Sequence, residues 1–109
     1  MIKTIGTAYK RKDFTREEFY DYWMNVHAPI SREAPGLRGY VVSEVTRRIA
    51  GELEVEAFVE QWYDDEESLE RATNSAAGRA AWADVGNYAE TTGTFWVAKQ
   101  HIIIAPPIA

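Results

Sequence analysis

The chain has 109 residues, 46% hydrophobic and 27% charged, which is an ordinary globular composition and enough for one domain spanning residues 1–109 with one core. A net charge of −5 argues against nucleic acid and against an anionic membrane surface as partners. The absence of cysteine excludes disulfides, a thiolate nucleophile and a thiolate metal site.

No charged region followed by an apolar run of signal type opens the chain, and no apolar run approaches the ~20 residues of a membrane span. A soluble, cytoplasmic protein with no membrane partner is expected, and a chain this short is expected to gain from pairing with a second copy.

Residues 2–10 read as a first strand, weakened at Gly6. The basic knot Lys10-Arg11-Lys12 reads as a solvated turn. Thr15-Arg16-Glu17-Glu18 fits a capping box, with Phe14 and Phe19 at the hydrophobic-staple positions, so a helix is predicted from Thr15 to about Arg32 or Glu33, ended by Pro35-Gly36. Phe19, Trp23, Val26 and Ile30 form its apolar stripe, and His27 lies one turn after Trp23 at the stripe's edge. Pro29 has no N–H to donate and its ring crowds the carbonyl of Asn25, so the helix is expected to bend or loosen where His27 projects.

A second strand is predicted over residues 37–46, with Tyr40, Val42, Glu44 and Thr46 on one face. Ala50-Gly51-Glu52 is a turn, and residues 54–63 form a third strand. Its Val55, Ala57 and Val59 suit a position under helices, while Glu56, Phe58, Glu60 and Trp62 share the other face. Asp64-Asp65 caps a further helix whose first turn holds Glu66 and Glu67. Gly78 is expected to break it, with residues 79–88 continuing the helical region and Trp82 and Val85 facing in. Residues 94–104 read as the last strand, stopped by Pro106-Pro107.

The order is β-α-β-β-α-β. Two right-handed halves of this kind give an α+β, ferredoxin-like domain, an antiparallel sheet with helices on one face. Phe58, Trp62 and Tyr40 are expected on the uncovered face, where a second copy packed face to face would shield them.

Three stretches together resemble a known family. Phe19-x-x-x-Trp23-x-x-x-His27-x-Pro29, then Pro35-Gly36-Leu37-x-x-Tyr40, then Glu60-x-Trp62-Tyr63-Asp64, are similar to the EthD-like branch of the dimeric α/β-barrel superfamily, over residues 2 to 104. The resemblance implies a ferredoxin-like protomer, a homodimer whose sheets form a barrel, and a pocket between sheet and helices. Relatives include methylmuconolactone methylisomerase and EthD-like dehydratases and cyclases of aromatic polyketide pathways. In the methylisomerase the residues matching His27 and Tyr40 line the active site. Here Gln61 stands in place of its cysteine, and the loop between the second and third strands holds no histidine.

His27 is therefore the candidate general acid or base, since an imidazole titrates near neutrality. Tyr40 is the candidate to polarise a substrate oxygen. Glu60 reads as a second base or as a carboxylate paired with an arginine across the dimer seam. Tyr9, Trp23, Phe58, Trp62 and Trp82 are candidate walls for a flat ring, and His101 on the last strand completes the histidine pair. Two histidines this far apart carry no metal-site spacing, and no glycine-rich phosphate loop, nucleophile elbow or dinucleotide fingerprint occurs, so neither metal nor cofactor is expected.

The expected function is a cofactor-independent lyase or isomerase acting on a small cyclic or aromatic oxygenated compound: a lactone, a phenol or a polyketide-like ketone. The alternatives are a non-catalytic carrier or accessory subunit with the same pocket, and a cofactor-free or haem oxygenase.

Overall fold

The computed structural model describes residues 1–108. Four strands, β1 (Ile2–Ala8), β2 (Gly39–Glu44), β3 (Ala57–Tyr63) and β4 (Phe95–Ala98), form one sheet in the order β2-β3-β1-β4. Every neighbouring pair is antiparallel. With the helices this is the ferredoxin-like α+β arrangement expected from the element order. No helix is long and apolar enough to cross a membrane.

The first helical region starts as its sequence requires. Thr15 Oγ1 accepts from the backbone N–H of Glu18, and the Glu18 carboxylate accepts from the N–H of Thr15, which completes the capping box. Helix α1 (Arg16–Tyr22) then passes into a π-helical turn (Trp23–His27) before α2 (Ala28–Ser31). In that turn the Ala28 N–H reaches back five residues to the carbonyl of Trp23. The predicted loosening beside Pro29 thus takes the form of one widened turn.

The wide turn changes which residues face inward. Phe19, Trp23, His27 and Ser31, spaced by four, are all buried, whereas Val26 is 41% exposed. This corrects the expected Phe19-Trp23-Val26-Ile30 stripe. A π turn advances more slowly around the axis than an α turn, so a four-residue spacing stays on one face, and His27 takes the inward place that Val26 would hold in a regular helix.

Helix α3 (Glu66–Asn74) is capped by Asp65, whose carboxylate accepts from the Ser68 N–H at 2.8 Å. The break between α3 and α4 (Ala76–Asp84) falls at Ser75, not at Gly78. Ser75 is extended and caps α4 by accepting from the Gly78 N–H at 3.0 Å. Gly78 serves closeness instead: a Cβ there would lie 2.0 Å from the carbonyl oxygen of Ala72. A short 3₁₀ turn (Val85–Asn87) follows α4.

Strand register decides the faces. Tyr40 stands opposite Gln61, and Val42 opposite Val59. These residues share the face that the helices cover, so the expectation that Tyr40 lies on the open face is corrected. Phe58, Glu60, Trp62, Val41 and Trp96 occupy the open face with Lys3 and Ile5. The last strand is also shorter than predicted: β4 ends at Ala98, and residues 99–108 run on without regular pairing.

The core lies between helices and sheet. Phe19 is fully buried, and Trp23, Tyr88, Ala8, Ala57 and Ala89 pack with it. Tyr88 is its hub, within 5.1–5.5 Å of the rings of Tyr22, Phe19 and Trp23.

Candidate active site

A cavity of about 390 Å³ opens between the sheet and the helices. Its inner end is built from the π turn. His27 is 7% exposed, and its Nδ1 lies 2.9 Å from Asp84 Oδ2 at the end of α4. Asp84 is held in turn by the Tyr22 hydroxyl at 2.6 Å and by the Asn87 amide at 3.0 Å, both donating to Oδ1. The carboxylate sits at the negative end of α4, a place that disfavours an anion. Three side-chain donors offset that penalty.

The electrostatics of the pair follow from burial and these contacts. Burial pushes the His27 imidazolium pKa down, and the Asp84 carboxylate draws it back only in part, so it stays below the ordinary value of 6.5. Burial works upward on the Asp84 carboxyl, but hydrogen bonds from Tyr22, Asn87 and His27 together bring it below the usual carboxylate range. At neutral pH His27 is therefore neutral and Asp84 ionised. An ionised carboxylate only accepts, so the imidazole proton is on Nδ1, donated to Asp84, and Nε2 carries the lone pair. Nε2 has no hydrogen-bond partner among the described residues, and among them no side-chain nitrogen or oxygen is both fully buried and unpartnered. The lone pair is thus open where His27 lines the cavity.

Tyr40 stands beside this pair. Its hydroxyl oxygen accepts from the Trp23 indole N–H at 2.9 Å and lies 3.0 Å from Ser31 Oγ. Ser31 has one hydroxyl proton and is also 3.2 Å from the His27 carbonyl oxygen. When Ser31 donates to Tyr40, the phenol proton is free for a ligand; when Ser31 donates to the His27 carbonyl, Tyr40 donates to Ser31. Trp23 meets the His27 ring edge-on at 6.2 Å, and Tyr88 packs against it at 4.9 Å. Burial raises the Tyr88 phenol far above its ordinary range, with the neighbouring Tyr40, Asp84 and Tyr22 adding to the effect, so it stays protonated.

Of the residues singled out by sequence, His27, Tyr40, Trp23 and Trp82 line this cavity. Trp82 meets Phe95 edge-on at 5.0 Å, and both are about half exposed, which places them at its mouth. The other five lie elsewhere. Phe58, Glu60 and Trp62 are on the open face because alternate residues of β3 point to opposite sides. Glu60 pairs with Lys3 of its own chain at 2.6 Å, and the same ammonium lies 5.4 Å over the Trp62 ring. Tyr9 follows β1 outside the cavity lining, and its carbonyl accepts from the Glu90 N–H. His101 is exposed in the segment beyond β4, so the two histidines do not meet.

Asp84, Ser31 and Tyr88 were not foreseen, and Gln61, noted in the sequence only as standing in place of a cysteine, also lines the cavity. Ser31 had a signal in its spacing of four from His27. Asp84 had a weaker one, an acidic side chain in the last turn of a helix before Gly86-Asn87, where a cation is the favoured choice.

The arrangement can take a proton at Nε2, stabilise the resulting imidazolium through Asp84, and offer a phenol hydrogen bond to an oxygen nearby.

The matched family model and the solved structures agree with this architecture. An EthD domain matches residues 11–92. An ethyl tert-butyl ether d (EthD) family protein from Bacillus halodurans is 28% identical, with 93% of this chain and 100% of that one aligned at a TM-score of 0.79. A dimeric ferredoxin-like protein from Thermobifida fusca is 15% identical, covering 91% of this chain and 90% of its own, at a TM-score of 0.71. SnoaB, a cofactor-independent oxygenase from Streptomyces nogalater, is 11% identical, covering 94% and 97% of the two chains, at a TM-score of 0.65. At those identities the last two speak to the fold alone. No curated protein matches the chain. With the domain match spanning most of the sequence, the chain belongs to the EthD family.

Proposed function

We propose that this EthD-family chain is a cofactor-independent lyase or isomerase acting on a small cyclic or aromatic oxygenated compound by proton transfer at His27. The observation that carries this reading is the His27–Asp84 contact at 2.9 Å, which leaves a basic Nε2 open at the inner end of an aromatic-walled cavity. In the proposed step, Nε2 takes a proton from a carbon next to a carbonyl. The C–H electron pair forms the double bond between that carbon and the carbonyl carbon, and the carbonyl π pair moves onto oxygen, giving an enolate. The Tyr40 O–H hydrogen-bonds that oxygen as charge develops. Return of the proton from His27 to a different carbon completes an isomerisation. Its delivery to a departing hydroxide, released as water, completes a dehydration. Asp84 acts through His27 as a positioning residue, keeping the tautomer and steadying the imidazolium.

The test is hydrogen–deuterium exchange at the α-carbon of cyclic ketones and lactones in deuterium oxide, read by proton NMR. The wild-type protein is expected to catalyse exchange and His27→Gln to lose it. Binding without exchange or turnover would overturn the enzyme reading in favour of a carrier. Oxygen consumption with a phenol, with no exchange at any ketone, would favour the cofactor-independent oxygenation that SnoaB's name records for that protein.

We further propose that the chain works as a homodimer joined through the open sheet face. Support comes from the dimeric neighbour of the same fold and from the exposed Val41, Phe58 and Trp96 on that face. Trp96→Asp is expected to turn a dimer into a monomer in sedimentation velocity; a wild-type monomer would overturn the proposal.

A further inference from the structure

The charges are distributed in a way that proton transfer alone does not require. The chain has twelve lysines and arginines, yet among the described residues none lines the cavity. Glu90 is the one acidic residue of the lining, its carboxylate within electrostatic reach of the Arg11 guanidinium outside the cavity, and the Asp84 carboxylate stands directly behind His27. Lys3 is engaged by Glu60 on the open face, and Arg16 is engaged by Glu44 and Glu56. Arg32 and Arg38 line a separate cleft that shares only Tyr40 with the cavity.

An anion entering such a space would lose hydration without meeting a cation, at a cost well above that of a neutral polar group. It would also approach the Asp84 carboxylate behind His27. A neutral ligand needs only hydrogen bonds, and Tyr40, Ser31, Gln61 and Thr4 supply polar groups around the lining. The remaining walls are largely aromatic and aliphatic, with Trp23, Tyr88, Phe95 and Trp82 among them. An apolar cavity of about 150 Å³ holds one benzene ring. The present volume of about 390 Å³ therefore suits about two to three fused rings.

We infer that the ligand of this cavity is an uncharged fused-ring compound bearing a ketone or phenol oxygen, and that the cavity rejects the same skeleton carrying a carboxylate. That such a ligand is also the substrate rests on the proposed function, which it narrows by setting aside lactone acids and other anionic ring compounds.

The test is calorimetric titration of the full chain near neutral pH with matched pairs: a naphthol against naphthoate, and a tetralone against its carboxylated counterpart. The uncharged member of each pair is expected to bind at least about tenfold more tightly. Glu90→Gln is expected to improve carboxylate binding severalfold and leave the neutral ligands unchanged. Thr73→Arg, at an exposed lining position, is expected to bring naphthoate to parity or better. Equal or tighter binding of the carboxylates by the wild type, or binding of neither pair, would overturn the inference. α-Carbon exchange measured on the same ketones separates the two claims. Charge-selective binding without exchange keeps the inference and removes the enzyme reading. Exchange on the carboxylated ketone as fast as on the neutral one keeps the chemistry and removes the inference.

Discussion

Each face of the sheet has a carboxylate joined to a basic side chain beside a tryptophan. On the helix-covered side Asp84 meets His27 at 2.9 Å, with Trp23 next to them. On the open side Glu60 meets Lys3 at 2.6 Å, with Trp62 beneath the ammonium. The open-face contact is the shorter one, yet distance does not decide what each pair can do. A lysine ammonium has donors only, so Lys3 in this pair has no nitrogen lone pair with which to take a proton from a substrate. The imidazole has two nitrogens, and Asp84 occupies only one. Burial then favours neutral His27, which leaves a base where the open face has a fixed charge.

The comparison breaks most sharply at His27. His27→Gln is expected to lower the exchange rate by about a hundredfold to ten-thousandfold, measured by NMR under saturating ketone. Asp84→Asn comes next, with a fall of about tenfold to a thousandfold in kcat and little change in KM. An asparagine amide can donate to Nδ1 and so move the imidazole proton to Nε2, which nitrogen-15 shifts of the ring would report. The same variant weakens the contacts to Tyr22 and Asn87 and is expected to cost about 1–3 kcal/mol in urea unfolding.

Tyr40→Phe is expected to lose about tenfold to a hundredfold in rate, and it leaves the buried Trp23 indole N–H without its partner. A rate unchanged in this variant would remove Tyr40 from the chemistry and leave it a structural acceptor.

The pH dependence has a definite sign. The folded pKa of His27 lies below 6.5, so as pH falls the unfolded chain takes up the proton first. The stability that His27 contributes is complete above 6.5 and is lost as pH drops through the lower folded value. A base works when neutral, so kcat/KM is expected to be level above 6.5 and to fall on an acid limb below it. An acid limb centred above 6.5 would show that the imidazolium is favoured in the site, contrary to the burial argument. Asp84→Asn should move the His27 pKa lower still, because the carboxylate is what draws it upward.

The smallest effect belongs to the open face. Glu60→Gln is expected to change exchange by no more than about twofold and protomer stability by no more than about 1 kcal/mol. A large loss of exchange in that variant would mean that the open face shares in the chemistry and that the contrast between the two pairs is false.

Much of the fold was legible because its signals are local. The Thr15–Glu18 capping box needs only residues three apart, and both of its hydrogen bonds are present. Pro29 announced a loosened turn, since a missing N–H acts on the residues just before it. The split of β3 into a small apolar face and a large mixed one follows from two-residue alternation. Local signals failed where spacing depends on the backbone actually adopted. Val26 fits an α-helical stripe, but the π turn hands its inward place to His27. Gly78 looked like a break, whereas it is the residue that lets α4 close on the Ala72 carbonyl. Tyr40 was grouped correctly with Val42, yet alternation within a strand cannot say which side the helices cover.

By itself the sequence determined the element order, the helix caps, the widened turn at His27 and the family, because each rests on residues near one another or on a pattern along the chain. Only the tertiary structure decided that Asp84, 57 residues from His27, supplies its partner, that Ser31 and Trp23 hold Tyr40, and that Glu60 and Trp62 look away from the cavity. Those choices depend on strand register and on how α4 packs against the π turn. Both are set by burial of surfaces that lie far apart in the chain, where no local spacing records the result.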